Sequence, residues 1–378
     1  MSLSILPVTN RNHRSAFYNF AWRVYKNDPN WVPHLWPQRL AYLEQKAAFF
    51  QYGEGEFWLA LRGKEVVGTI GTAINHSRNH DRKEQVGIFG FFEVLPNDYE
   101  VAQCMWDHAC AFTKSHGLSE LQGPYSFAMN DENGFLIEGH QYLPTIMMGH
   151  SPPYYAQFAE RYGFEKLQDS LAYRFDLKQI NFDVAQGPQV IHRIAERAAR
   201  RLGSNVVRCA DARNWDDEVI RLHALYNKSL AVLPEFSPLE LVEFQTQANS
   251  LRPILDPELV FIAEVNGRAV GFALGLPNIM EALKYAHGLQ YPWNYLQLAW
   301  AKKKITGVSF KILAIDPDYW GYGLESLMFL EMGKTIIRKR YTWIDGSLTS
   351  ESNPQTNKIA SRLGAYVYRK YREYRLTI

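Results

Sequence analysis

Ile312-Leu313-Ala314-Ile315-Asp316-Pro317-Asp318-Tyr319-Trp320-Gly321-Tyr322-Gly323-Leu324-Glu325 is the stretch whose reading decides the fold of this 378-residue chain. Four apolar residues stop at Asp316-Pro317, a dipeptide that ends a strand, and a turn with two glycines leads straight into an apolar helical run. Such a turn presents successive backbone N–H groups at a helix N-terminus, where the dipole favours an anion. Glycine lets a phosphate approach the backbone closely. The expectation is strand, anion-binding turn, helix.

Working outward, the chain repeats itself. Leu59-Ala60-Leu61-Arg62-Gly63-Lys64-Glu65-Val66-Val67-Gly68 has a counterpart in Ile262-Ala263-Glu264-Val265-Asn266-Gly267-Arg268-Ala269-Val270-Gly271, each a strand, a turn and a strand closing on Val-Gly. FAERYGFEKLQDSLAYRFDL, from Phe158, matches IASRLGAYVYRKYREYRLTI, from Ile359, without a gap. The offsets, 203 and 201, agree. Two copies of one fold follow, residues 1–178 and 188–378, joined by a polar segment with Gly187-Pro188.

Each copy reads as helices, a hairpin, a strand, a long helix, a strand, a helix and a last strand. In the first copy the hairpin is Glu56 to Asn75, and Val86 to Val94 is a strand too apolar to be exposed on either face. In the second, a helix is expected from Pro238, with Ser237 as N-cap and Glu240 completing a capping box. Trp293 to Lys304 reads as a long connection, its apolar face too small for firm membrane binding. The fold class is α/β (α+β): two domains, each a mixed, mostly antiparallel sheet flanked by helices.

At this point the second copy resembles the GNAT acyltransferase superfamily. Pro317 to Glu325 matches the turn that, in that family, cradles the pyrophosphate of coenzyme A. Asn353 and Leu363-Gly364-Ala365 match a second motif at the family's spacing of eleven residues from Asn to Gly. Arg161-Tyr162-Gly163-Phe164 and the shared hairpin extend the resemblance to the first copy, and the whole chain is similar to bacterial tandem GNAT-like proteins. The resemblance implies an acetyl-CoA or other acyl-CoA site. Backbone of Leu313, Ala314 and Ile315 would lie along the pantetheine; Trp320, Gly321, Tyr322, Gly323 and Leu324 would hold the pyrophosphate, with Asn353 nearby. The implied reaction is direct attack of a small-molecule amine on the thioester.

Some positions depart from the pattern. The family's loop Arg is Trp320, its last small loop residue is Glu325, and the Tyr credited with protonating the leaving thiolate is Ala360. These departures favour the alternative of a catalytically silent tandem fold that binds a ligand or partner. In the first copy Asn97-Asp98-Tyr99-Glu100 replaces the glycine turn, so that copy is expected to hold no cofactor and to serve as support and substrate-side wall.

For the chemistry itself, Asp345, Ser347 and Glu351 stand near a strand's C-terminal end, where open α/β sheets place their ligands. Asn130, Glu132 and Glu138 belong to a polar cluster in an apolar region and are candidates for the substrate side. Eleven His without HxxxH spacing and three scattered Cys suggest neither a metal site nor a disulfide framework. The net charge of +2 argues against a nucleic-acid partner. With no signal peptide and no long apolar run, a cytoplasmic protein without membrane contact is expected.

Overall fold

The computed structural model describes residues 2–127, 132–177, 189–203, 206–232, 238–362 and 364–378. The strands of the first copy are β1 (Leu3–Pro7), β2 (Gly53–Arg62), β3 (Glu65–Asn75), β4 (Val86–Val94), β5 (Glu120–Gly123), β6 (Phe135–Glu138) and β7 (Glu165–Asp176). Those of the second are β8 (Val207–Cys209), β9 (Val260–Val265), β10 (Arg268–Pro277), β11 (Gly307–Ile315), β12 (Trp343–Ser350) and β13 (Tyr366–Thr377). The helices are α1 (Arg11–Val24), α2 (Trp36–Leu43), α3 (His76–Arg82), α4 (Tyr99–Ser115), α5 (Tyr154–Tyr162), α6 (Gln189–Leu202), α7 (Trp215–Leu230), α8 (Leu241–Leu251), α9 (Met280–Leu283), α10 (Pro292–Ala301), α11 (Leu324–Arg338) and α12 (Pro354–Arg362).

The two duplicated hairpins are β2–β3 and β9–β10, each antiparallel with a register slip just before its closing glycine. Beside them lie β4 and β11, which run parallel to β5 and β12 and form the core of each copy. In copy 1, α4 lays Val101, Met105, Trp106 and Ala109 on that sheet, and Trp106 stacks on Phe92 with centroids 4.6 Å apart. In copy 2, α11 does the same with Leu324, Met328, Met332 and Ile336.

Where the copies meet, their last strands are exchanged. One sheet runs β1-β2-β3-β4-β5-β13-β7-β12-β11-β10-β9-β8, with β6 paired to β13. Thus β13, the end of copy 2, pairs with β5 of copy 1, while β7, the end of copy 1, pairs with β12 of copy 2. The packing follows the pairing: Tyr374 is buried in the first copy's core and Leu177 packs against the second's. The two gapless repeats are the α5–β7 and α12–β13 units, and the strand of each lies against the other copy's sheet. Gly163 and Gly364, at φ 113° and 78°, end the two helices in the left-handed conformation that glycine favours.

Two local expectations change. Helix α8 begins at Leu241, with Glu240 at its N-cap and no side-chain bond; Pro238 lies outside it and Ser237 outside the described residues. The segment from Trp293 is helical, α10, followed by a tight turn at Lys302–Lys304. Leu363 and the linker with Gly187-Pro188 also fall outside the described residues. Among the described residues no helix is long and apolar enough to cross a membrane.

Candidate functional site

In copy 2, β11 pairs with β12 only from Gly307 to Phe310, after which the two strands part. The Asp316 amide bonds the Val270 carbonyl at 2.9 Å. Strand alternation therefore turns the peptide groups of Leu313 and Ile315 away from β10 and into the gap. Ala314, expected with them along a pantetheine arm, instead turns its peptide to β10, and its side chain is buried beside Phe272 and Leu274. Beyond the strand, buried Asp316 accepts the Asp318 amide and is held by Lys228 at 2.6 Å and Arg268 at 3.0 Å, which fixes the turn.

Gly321 and Gly323 have φ of 76° and 80°. A Cβ on Gly323 would stand 2.5 Å from Ile194 of α6, so this position needs glycine for space as well as conformation. Gly323 caps α11 without a side-chain bond, and Leu324 and Glu325 open the first turn. Trp320 is 54% exposed and its Nε1 donates to the Ile315 carbonyl at 3.1 Å, taking one gap-facing acceptor. The Tyr322 ring lies under the Arg201 guanidinium, 3.7 Å away. Asn353 caps α12 by accepting the Thr356 amide. Trp320, Gly321, Tyr322 and Gly323 thus form the turn between β11 and α11, with Leu324 and Glu325 in the first helical turn, while Asn353 stands at the start of α12.

At the base of this fork Asp345 is fully buried. Its Oδ2 accepts from Thr145 Oγ1 at 2.8 Å and Ser309 Oγ at 2.5 Å, and its Oδ1 accepts from Tyr368 OH at 3.0 Å. Lys311 Nζ is 3.7 Å away. Burial pulls the Lys311 ammonium below its ordinary range, opposed by the Asp345 charge. Asp345 therefore knots β11, β12, β13 and the segment of residues 139–151. Glu351 is placed elsewhere: it pairs with Lys166 at 2.6 Å and accepts the Asp169 amide, at the β7–β12 junction. The Ser347 side chain lies outside the described residues.

The fork of copy 1 has a different filling. β4 pairs with β5 only from Val86 to Ile88, and Phe91 then takes φ 49°. The Val94 amide donates to Tyr155 OH at 2.9 Å, and the Val94 carbonyl accepts from Tyr154 OH at 2.8 Å. Past the strand Asp98 binds Arg62 through both oxygens, at 2.8 and 3.0 Å. These contacts occupy the strand end at Val94 and the turn at Asp98.

What remains is a pocket of about 100 Å³. Phe17, Trp22, Trp31, Phe92 and Phe135 form its apolar walls, with Tyr25, His34, Glu93, Glu132 and Tyr155 as its polar groups. Glu93 Oε2 accepts from Tyr155 OH at 2.7 Å and Oε1 from Tyr25 OH at 3.4 Å. Burial raises the Glu93 carboxyl to about 7, against the pull of both phenols. Burial and the Glu93 charge push Tyr25 and Tyr155 well above the usual phenol range, so both remain donors. Burial, helped by Arg39, holds His34 well below its ordinary value. His34 Nδ1 is 3.6 Å from Glu132. His150 Nε2 meets Asp28 at 2.7 Å, while its carbonyl accepts from Tyr25.

Of the expected substrate-side residues, Glu132 lines this pocket, Asn130 lies outside the described residues, and Glu138 is exposed on β6 near Lys370. Sequence reading missed Glu93, Tyr155, Tyr25 and His34. The available signal was Glu93, a lone carboxylate in the otherwise apolar run Val86–Val94.

No family model matches the chain. It is 27% identical over 372 residues to Protein YghO of Escherichia coli, covering 97% of this chain and 93% of that one. It is 28% identical over 382 residues to the bacterial ceramide synthase of Caulobacter vibrioides, covering 98% and 97%. Among solved structures, a tandem GNAT protein from the clavulanic acid biosynthesis pathway superposes with a TM-score of 0.59 at 11% identity, covering 100% of this chain and 98% of that one. A GCN5-related N-acetyltransferase from Sphaerobacter thermophilus gives 0.52 at 11% identity, covering 99% and 95%. At such identities the structural likeness shows the fold.

Proposed function

We propose that this tandem GNAT-like chain is an N-acyltransferase that binds a primary amine in the copy 1 pocket and acylates it from a thioester. The observation that carries this reading is the Glu93 carboxyl, raised to about 7 between two tyrosine hydroxyls in an aromatic pocket. An ammonium group is favoured there by the carboxylates of Glu93 and Glu132. It must lose a proton before it attacks. A carboxylate that titrates near neutrality suits that transfer. The ammonium gives its first proton to Glu93 before attack; the new C–N bond then forms as the C–S bond breaks, and the second proton released from nitrogen ends on the leaving thiolate as a thiol.

The donor proposed is an acyl-CoA, and copy 2 is where this chain's residues fit it. There the gap-facing peptides of Leu313 and Ile315 suit a pantetheine arm, and the amides from Gly321 to Leu324 suit a pyrophosphate. Residues 139–151 touch both regions, through Thr145 at Asp345 and the His150 carbonyl at Tyr25. A ceramide is by definition the amide of a fatty acid and a long-chain amino alcohol. The relative of that name supports a long-chain amino alcohol as acceptor and a fatty acyl group as donor.

A second reading keeps the whole reaction in copy 2, favoured by buried Lys311 beside Asp345. Incubation with acyl-CoAs of different length and sphinganine, with amide read by mass spectrometry, tests both. Amide formation lost in Glu93→Gln supports copy 1 as the reacting half. Activity kept in that variant but lost in Lys311→Met moves the chemistry to copy 2. Absence of both amide and CoA binding would leave the silent fold.

A further inference from the structure

Helix α10 is turned inside out relative to an ordinary surface helix. Only Asn294 and Ala301 are buried, with Leu298 half-buried, so the inward face is a narrow i, i+4, i+7 stripe. The outward face carries Trp293, Tyr295, Leu296 and Trp300, exposed by 57, 53, 75 and 58%. Tyr291 stacks on Trp293 at 4.7 Å and is itself exposed, as is Tyr285 on the preceding turn. Soluble proteins seldom leave so many large apolar side chains together in water without a partner.

The first charges that follow this helix along the chain are all positive. Lys302, Lys303 and Lys304 follow the helix directly, all exposed, and Lys304 Nζ sits 3.6 Å over the Trp300 ring. Glu281 is the single acid from Met280 to Thr306, and its carboxylate is spent on the Thr306 and Gly307 amides. The patch also adjoins the pocket. His287 stacks on Trp22, a pocket wall, and a Cβ on Gly288 would meet Tyr18 OH at 2.0 Å and the His34 carbonyl at 2.5 Å.

Against the expectation of no membrane contact, because Tyr285 and Tyr291 widen the exposed apolar face beyond the helix itself, we infer that the α10 face docks the protein on the surface of an anionic lipid bilayer. Trp and Tyr are the side chains that settle at the boundary between headgroups and acyl chains, and adjacent lysines are drawn by the negative surface. A second copy of the chain is the poorer occupant. A closed two-fold contact would place this patch against itself and leave the three lysines of each protomer facing a stretch, Pro292 to Lys304, that carries no acid to pair with them. Docking here sets the pocket beside the membrane, so an amphiphilic amine reaches Glu93 from the bilayer. The docking stands on its own observations and survives if the acyltransferase reading fails.

Co-sedimentation of the full-length protein with vesicles of phosphatidylcholine, alone or with about 30% phosphatidylglycerol, tests it. The protein is expected on the anionic vesicles, at least about tenfold more weakly on the neutral ones or in about 0.5 M salt. Replacing Lys302, Lys303 and Lys304 by Glu is expected to weaken anionic binding about a hundredfold or more. The triple change Trp293→Ser, Leu296→Ser, Trp300→Ser is expected to weaken binding to both vesicle types at least about tenfold, with circular dichroism and thermal midpoint unchanged. No association at about 1 mM lipid, or binding indifferent to both sets of changes, overturns the inference. So does a dimer in sedimentation equilibrium that Leu296→Ser dissociates, which gives the face to a second copy.

Discussion

At the fork of copy 1 the amide and carbonyl of Val94 are taken by Tyr155 and Tyr154. Ile315 holds the corresponding place in copy 2. Each of the two residues pairs with the glycine that closes its hairpin, Gly68 or Gly271, and precedes a proline by two residues. At Ile315 the amide faces the gap and the carbonyl is capped by Trp320. The α12 position that matches Tyr155 is Thr356, which is exposed. One pair of tyrosines therefore takes the strand end of the first fork beside a compact polar pocket, while in the second Trp320 takes the Ile315 carbonyl and two glycines shape the turn. The two frames are alike in strand pairing, and they differ in the side chains that the helix after each fork brings to it.

The sharpest way to break the proposed division of labour between the copies is Glu93→Gln. Loss of the proton acceptor is expected to lower kcat by about 10²–10⁴-fold with little change in acyl-CoA affinity. Stability should move the other way. Because folding raises the Glu93 pKa from 4.5 to about 7, the folded state binds the extra proton and stability falls as pH rises through that window. At pH 8 the Gln variant should therefore melt higher, by roughly 1–3 kcal/mol in unfolding free energy. A merely structural Glu93 would show a loss instead.

Asp345→Asn tests whether the second fork is held by its buried knot. Leaving Lys311 without its carboxylate partner is expected to destabilise the fold by about 3–5 kcal/mol, seen in denaturant unfolding. Tyr155→Phe leaves the Val94 amide unpaired and removes a hydrogen bond that favours the Glu93 anion. The expected loss is about 1–3 kcal/mol of stability, with the rising limb of the pH–rate profile displaced to higher pH. The smallest effect belongs to Glu325→Gln. Removing a carboxylate from the first turn of α11 should tighten CoA binding about three- to tenfold in calorimetry, and an unchanged affinity would remove the nucleotide from this cleft.

Much of the frame was legible in the residues. The hairpins announce themselves by apolar strands around Gly63-Lys64 and Asn266-Gly267, and the turn before α11 by its glycines, because these are local signals. The strand exchange was not, since β7 and β13 carry the same pattern and nothing local says which sheet each completes. The helix start at Ser237-Pro238 was overridden, with α8 beginning at Leu241. The pocket escaped for a further reason: Tyr25, His34, Glu93, Glu132 and Tyr155 are spread over 130 positions and meet only through the packing of α1, β4 and α5. Glu93 alone broke the pattern of its strand, and a carboxylate among buried apolar residues needs partners that no local motif names.

The pH dependence of kcat/KM for acyl transfer to a long-chain amino alcohol, in the wild type and in Glu93→Gln, tests the division of labour most directly. The account predicts a rising limb with a midpoint near 7 in the wild type and a flat, much lower profile in the variant. A variant that keeps both the rate and the limb would contradict it.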